Sequence, residues 1–438
     1  MQVLALDVGA GTVRAAVVDV DTLAIAGDIQ CVEFKISVPT AQAAECRAAD
    51  VWSAVAKAAR RVAPAKDAID GVGMSCLAPC GVWLDAKDQP LTSVWLPADR
   101  RSRPAARQTW ALDGERFLAE VGTPPVPGRI SAIVWKQLLA QDAYLGHWVR
   151  SYLHLNGWLG FQMTGERRFD PAGASLTGLF GTMTERRWLE HWCSHFEVNS
   201  DWLPEVVAGT QTIGTLRSEA AGEMGMIAGV PVKVGTETLA SALLAAGAEP
   251  GDVLIEEGES PLAASLTVEP HPAVDCSTYL FPFEPNGAKY ICVVPLPFGI
   301  EAFSWLHRLC FAEMSETTFF EEALDRAVEQ QTSVCFDPPW LAGHPLAVEA
   351  QHASFRGLCS ATERIELLAA MVQALRRGWR RALRTLGLER PGRLFLSGGN
   401  VSVWKKVLPE LAGISIHEVQ DASLRGAAIM FQQKSVSR

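Results

Sequence analysis

The chain has 438 residues, 48% of them hydrophobic, and a formal net charge of −10. A single core rarely grows beyond about 250 to 300 residues, so two domains are expected. The acidic balance and the lack of a basic arm exclude an electrostatic, sequence-independent grip on nucleic acid and leave small-molecule chemistry as the expected field.

From the start of the chain, "QVLALDV" and "VRAAVVDV" read as strands around a glycine-containing turn, and "AADVWSAVAKAARRVA" (48–63) as an amphipathic helix. "GVGMSC" and "CGVWLDA" read as two more strands, and "DVLIEEG", "KYICVVPL" and "GRLFLSGG" as strands of the second half. The segment "TERIELLAAMVQALRRGWRRALRTLGL" sets Ile365, Leu368, Val372, Leu375 and Trp379 on one helical face. Its arginines, Arg376, Arg377, Arg380, Arg381 and Arg384, read as a solvated face. Strands alternating with helices predict α/β layers. Small residues, glycine and proline in "LLAAGAEPGD" (243–252) place a hinge there, dividing the chain into domains 1–247 and 248–438.

The beginning of the sequence has no basic stretch and reaches an aspartate at Asp7, and no apolar run is long enough for a bilayer, so a cytoplasmic protein is expected. Ten cysteines are scattered from Cys31 to Cys359; the closest pair, Cys76 and Cys80, fits neither a zinc ribbon nor a thioredoxin motif, and all read as reduced. His191 and His195 share a helix face without a third ligand and read as a surface pair. Trp158, Trp188, Trp305 and Trp379 sit at helical positions and read as core. Trp83 and Trp95 flank a candidate substrate loop, with strand packing as the simpler reading of both.

The turn Gly9-Ala10-Gly11-Thr12 is not a dinucleotide loop, because β-branched residues rather than a helix follow it, and no Walker pattern occurs. Strand, tight turn, strand can still gather backbone N–H groups on a phosphate, with Asp7 placed to hold Mg²⁺ through water. A hairpin that merely needs positive φ at Gly9 or Gly11 satisfies the same residues.

The order of further segments decides more. "GVGMSCLAPCGVWLDAKDQPLTSVWLPADRRS", "VRSYLHLNGWLGFQMTGERRFDPAGASLTGLF", "GVPVKVGTETLASALLAAG", "GRLFLSGGNVSVWKKVLPEL" and "DASLRGAAIMF" follow one another along nearly the whole chain. Together they resemble the FGGY carbohydrate kinases, the group of xylulokinase and glycerol kinase, within the fold shared by actin, hexokinase and the heat-shock chaperone ATPase. The resemblance implies an α/β fold of two ribonuclease-H-like domains, each a five-stranded mixed sheet flanked by helices, with a cleft between them. It implies ATP and Mg²⁺ as cofactors, a sugar or polyol as substrate, and a homodimer as a candidate assembly, without nucleic acid or membrane.

Carried over residue by residue, the resemblance puts Asp7 near Mg²⁺ and Gly9, Gly11, Thr12 and Arg14 on the first phosphate hairpin. Leu77 and Ala78 fall on the sugar-contacting turn. Asp99 would accept hydrogen bonds from sugar hydroxyls, and Arg100 would steer the ring. Gly258 and Ser260 fall on the second phosphate loop, and Gly398, Gly399 and Asn400 on the adenosine turn. Glu237 stands where the family has the aspartate that acts as general base and meets the acceptor. Departures accompany this pattern: Glu237 is one methylene longer, Ala10 replaces a hydroxyl donor, and "LAGHPLA" (341–347) replaces G-E-R-x-P. In "IEEGESPL", Glu256, Glu257 and Glu259 replace hydroxyl donors. A carboxylate about 4 Å from a phosphate oxygen costs about 4 kcal/mol at an effective dielectric of 20. Two classes therefore stand open: an ATP-dependent sugar or polyol kinase, and a kinase-shaped ligand-binding or regulatory protein without phosphoryl transfer.

Overall fold

Residues 2–19 pair as an antiparallel hairpin, β1 (Gln2–Val8) and β2 (Thr12–Asp19), because their apolar side chains are buried on both faces. The computed structural model describes residues 1–62, 69–258, 261–280, 289–338, 349, 352–398, 400–408 and 411–432. The first sheet continues with β3 (Ile25–Glu33), then, after helix α1 (Ala48–Val62), β4 (Val72–Cys76), β5 (Thr212–Thr215), β6 (Pro231–Lys233) and β7 (Thr236–Glu237). Its order is β3-β2-β1-β4-β6-β5, with β7 also on β4. Val232 pairs with Val72 but Thr236 with Ser75, so one extra residue bulges between β6 and β7, which otherwise form one strand position.

The second sheet comprises β8 (Val253–Glu256), β9 (Leu262–Thr267), β10 (Ser277–Leu280), β11 (Tyr290–Pro295), β12 (Arg393–Ser397) and β13 (Ser415–Glu418), in the order β10-β11-β9-β8-β12-β13. It repeats the plan of the first. With the edge strands β5 and β10 set aside, in each the first strand is antiparallel to the second and the second to the third, and the first is parallel to the fourth and the fourth to the fifth. The expected five strands per sheet are thus the common core. Each sheet also carries an antiparallel edge strand that the reading of five omits, β5 beside β6 and β10 beside β11.

Two helices tie the sheets together. α2 (Thr238–Ala246) sends Leu239, Ala240, Ala242 and Leu243 into a core shared with Leu254, Ala264, Tyr279, Ile291 and Phe395 of the second sheet. After the long helix α3 (Arg364–Thr385), the last helix, α4 (Ala422–Ile429), returns to the first sheet, where Leu424, Ala427 and Ala428 pack on Val3, Ala5, Ala16 and Val18. α2 and α4 touch backbone to backbone: a Cβ at Gly426 would lie 2.1 Å from the Ser241 carbonyl oxygen. Strand β10 adds a third tie, its Thr278 N–H donating to the Gly122 carbonyl at 2.9 Å and its Leu280 N–H to Ser175 Oγ at 3.2 Å.

Candidate active site

Parallel strands end at the same edge, and loops leaving that edge are where open α/β sheets hold ligands. Asp7 pairs with Ser75, Val8 with Cys76, and Cys76 with Glu237. With neighbouring strands about 4.8 Å apart, Asp7 and Glu237 stand about 10 Å apart at the carboxyl edge of the first sheet. Leu77 and Ala78 leave β4 between them, the Leu77 N–H donating to the Val8 carbonyl at 2.7 Å.

In the hairpin, Gly11 is the residue that needs positive φ, at +90°. The Gly9 N–H is spent on the Thr12 carbonyl at 2.9 Å, closing the turn. Arg14, opposite Asp7 in the ladder, brings Nε to 3.3 Å from Asp7 and Nη2 to 3.0 Å from Asp421 at the start of α4. Burial raises the Asp7 carboxyl, Arg14 draws it down and Asp421 pushes it up, leaving it at about 6.

Glu237 is buried and caps α2, its carboxylate accepting the N–H groups of Leu239, at 2.8 Å, and Ala240. Burial still outweighs these bonds, and with the charges of Glu256 and Asp170 it lifts Glu237 to about 8. Asp170 fixes the strand that carries it. Fully buried, Asp170 accepts from Thr236 Oγ1 at 2.7 Å, Asn156 Nδ2 at 2.9 Å and the Gly173 N–H at 3.1 Å.

The "DRRS" loop departs from its expected role. Asp99 has no exposed surface, and its carboxylate accepts from the Ala44 N–H at 2.9 Å, the Arg101 N–H at 2.9 Å, and Arg101 Nε and Nη2 at 2.9 and 2.7 Å. It shapes the loop from a position with no exposed surface. Arg100 is buried as well, its Nη1 donating to the Pro97, Asp99 and Pro127 carbonyls, so it braces backbone rather than steering a ring. The exposed edge belongs to Arg101, which pairs with Glu45 and lies 3.8 Å over Trp95. Trp83 is core: its ring stacks on Trp135 at 4.1 Å and Tyr152 at 3.9 Å.

At the second sheet, Glu256 and Ser397 pair at the ends of β8 and β12. Gly258 and Asn400 line a cavity of about 820 Å³ with Glu257, Ile300, Phe320 and Lys406. Asn400 also caps the helix Val401–Val407, its Oδ1 accepting from the Ser402 N–H at 2.9 Å. Gly398 follows β12 and comes within 3.6 Å of the Glu257 side chain at its virtual Cβ. Glu259, Ser260, Gly399 and the stretch 341–347 lie outside the described residues. Burial, reinforced by Asp7 and opposed by Arg129, raises Glu256 to about 7; burial raises Glu257 as well.

Sequence reasoning overlooked Arg129 and Tyr279. Tyr279 of β10 is buried within the electrostatic reach of Glu237, Glu256 and Arg129. Arg129 had a signal: it is the lone charge between Glu120 and Lys136, at the end of the stiff run "TPPVPG". Elsewhere, His191 Nε2 meets Glu120 at 2.7 Å, all ten cysteines are free, and no described cluster of three or more His, Cys, Asp or Glu could hold a metal ion. No described helix is long and apolar enough to cross a membrane.

Residues 2–245 match the model of the N-terminal domain of the FGGY family of carbohydrate kinases. The putative sugar kinase YoaC of Bacillus subtilis is 24% identical over 267 residues, 60% of this chain and 54% of that protein. The autoinducer-2 kinase of Salmonella paratyphi A is 28% identical over 53% of this chain and 44% of its own length. The chain thus spans about half the length of these curated relatives. Among solved structures, a ligand-bound xylulose kinase from Lactobacillus acidophilus superposes with a TM-score of 0.87 at 16% identity, covering 99% of this chain and 89% of that one. A xylulose kinase from Brucella ovis gives 0.84 at 23% identity, covering 98% and 90%. At these identities the likeness shows the fold: two domains of the actin-like ATPase type.

Proposed function

The chain belongs to the FGGY family of carbohydrate kinases, and on that footing we propose that it transfers the γ-phosphoryl group of ATP to a hydroxyl of a sugar or polyol. The observation that carries this reading is the carboxyl edge of the first sheet, where Asp7, the Leu77–Ala78 turn and Glu237 stand side by side. Glu237 takes the proton of the acceptor hydroxyl, a task for which a carboxylate raised to about 8 is a strong enough base. Leu77 and Ala78 press on the carbon skeleton of the acceptor. Asp7 would hold Mg²⁺, beside the hairpin of Gly9, Gly11, Thr12 and Arg14, which would border the phosphates.

On the second domain, residues 248–438, Gly258 borders the phosphates and Asn400 the adenosine where both line the 820 Å³ cavity, and the family resemblance assigns Ser260 to the phosphates and Gly398 and Gly399 to the adenosine. The first domain, residues 1–247, carries the acceptor. The residues present fit a nucleotide better than their formal charges suggest: with Glu256 raised to about 7 and Glu257 raised too, burial removes part of the repulsion that ionised carboxylates would exert. When bound, Mg²⁺ neutralises charge on the transferring phosphoryl group. Asp99 and Arg100 hold the loop that borders the acceptor. A panel of sugars and polyols with Mg·ATP, read by ADP release, tests the proposal. Release above the background of ATP hydrolysis with at least one acceptor is expected, and none across the panel would overturn it.

A further inference from the structure

Three arginines come together where residues 99–103 meet the Gly128–Arg129 loop. In Arg100, Arg103 and Arg129 the Nε is buried without a hydrogen-bond partner among the described residues. They lie close enough to act on one another: after burial, the charges of Arg129 and Arg103 draw Arg100 down to about 10. Arg100 has three carbonyls on its Nη1, but no hydrogen bond is found for the guanidinium of Arg129 or Arg103 among the described residues. Nor does any described carboxylate come within the 4.0 Å of an ion pair.

Arg129 is held in place by its backbone. The Gly128 N–H donates to Ser102 Oγ at 3.1 Å, and a Cβ at Gly128 would lie 2.3 Å from the Asp99 carbonyl, so this loop rests directly on residues 99–102. Glu256 and Tyr279 of the second sheet lie within electrostatic reach of Arg129, whose charge burial disfavours. A guanidinium whose Nε is buried normally finds a partner for it, and the planar fork of a half-buried arginine fits carboxylate and phosphate oxygens two at a time.

We propose that Arg129, with Arg103, is an oxyanion receptor of the cleft, taking an acid group on the acceptor or the phosphoryl group being transferred. The inference rests on the kinase reading for which of these it holds, and on the unpaired guanidinium groups for there being one. A neutral polyol alone leaves both arginines without partners.

Calorimetric titration of the full chain and of Arg129→Gln and Arg129→Lys with D-gluconate, with pyrophosphate and with xylitol tests it. D-gluconate or pyrophosphate is expected to bind Arg129→Gln at least about tenfold more weakly than the parent, the size of a lost charge-assisted pair. Arg129→Lys, which keeps the charge but not the fork, falls between, and xylitol affinity does not change. A loss confined to D-gluconate assigns the receptor to the acceptor, and one confined to pyrophosphate assigns it to the phosphoryl group. Equal affinities of parent and both variants for both anions would overturn the proposal. If Arg129→Gln fails to fold, Arg129→Lys alone decides. ADP release is measured separately: anion binding that depends on Arg129 without turnover on any acceptor refutes the kinase reading and leaves the receptor standing.

Discussion

At Glu237 the carboxylate caps a helix from a buried position, and the cap and the burial make opposite demands on its proton. The helix N–H groups favour the charged form, burial favours the neutral one, and burial wins, with the group near 8. Glu237→Gln is expected to lower kcat at least about 100-fold, the lower end for a general base. In the parent, kcat/KM is expected to climb with pH and level off above about 8; a flat profile from pH 6 to 9 would place the base elsewhere. The stability sign is opposite. The folded carboxyl binds its proton more tightly than the unfolded one, so stability is greatest below the ordinary glutamate range and falls as pH rises through about 8. In Glu237→Gln the melting temperature should lose part of that decline. Asp99 makes a different case: Asp99→Ala strips a fully buried carboxylate from Arg101 and the Ala44 N–H. A loss of about 3 kcal/mol in stability is expected by chemical denaturation, and an unchanged midpoint would return Asp99 to the candidate ligand contacts.

Among the elements, α2 and α4 matter most to the site, because α2 begins at Glu237 and α4 begins at Asp421, the partner of Arg14. Their backbones meet at Gly426 and Ser241, where even a methyl group has no room. Gly426→Ala is expected to cost at least about 2 kcal/mol, since overpacking against backbone cannot be relieved by a rotamer change. Turnover should fall with it, as separation of the helices shifts Glu237; a variant with parental melting and kinetics would show that the contact is slack. The long strands and α3 were legible because their periodicity is local: Ile365, Leu368, Val372, Leu375 and Trp379 of α3 are all buried, as their spacing predicts. The edge strands β5 and β10 escaped because four residues, "TIGT" and "STYL", are too few to carry a period.

For the molecule as a whole, the repeated sheet plan brings two strand ends, Asp7 and Glu256, to one cleft, close enough that the charge of Asp7 adds to burial in raising the proton affinity of Glu256. A nucleotide that bridges these ends stabilises the folded chain. At 100 times its dissociation constant, Mg·ATP is expected to add about 2.7 kcal/mol, read as a rise in melting temperature. No rise with any nucleotide would remove the second domain from nucleotide binding. Acceptor and nucleotide together should also reduce the radius of gyration in solution scattering, since cleft closure is a hinge motion between domains. The ties from β10 and α4 across the domains make the expected change small in amplitude but cooperative.

What the amino-acid sequence determined by itself is the layered α/β character, the strand and helix positions, the glycine turn and the order of segments that marks the family. Each depends on neighbours within a few residues, through side-chain period and turn chemistry. What the tertiary structure decided is which polar groups are available for chemistry. Asp99 and Arg100 are held by backbone and by Arg101, Glu237 and Glu256 have their protons held by burial, and the Arg129 Nε finds no hydrogen-bond partner among the described residues. Availability and charge state follow from burial and from partners far away in the chain, as between Arg14 and Asp421, and no local pattern encodes those distances.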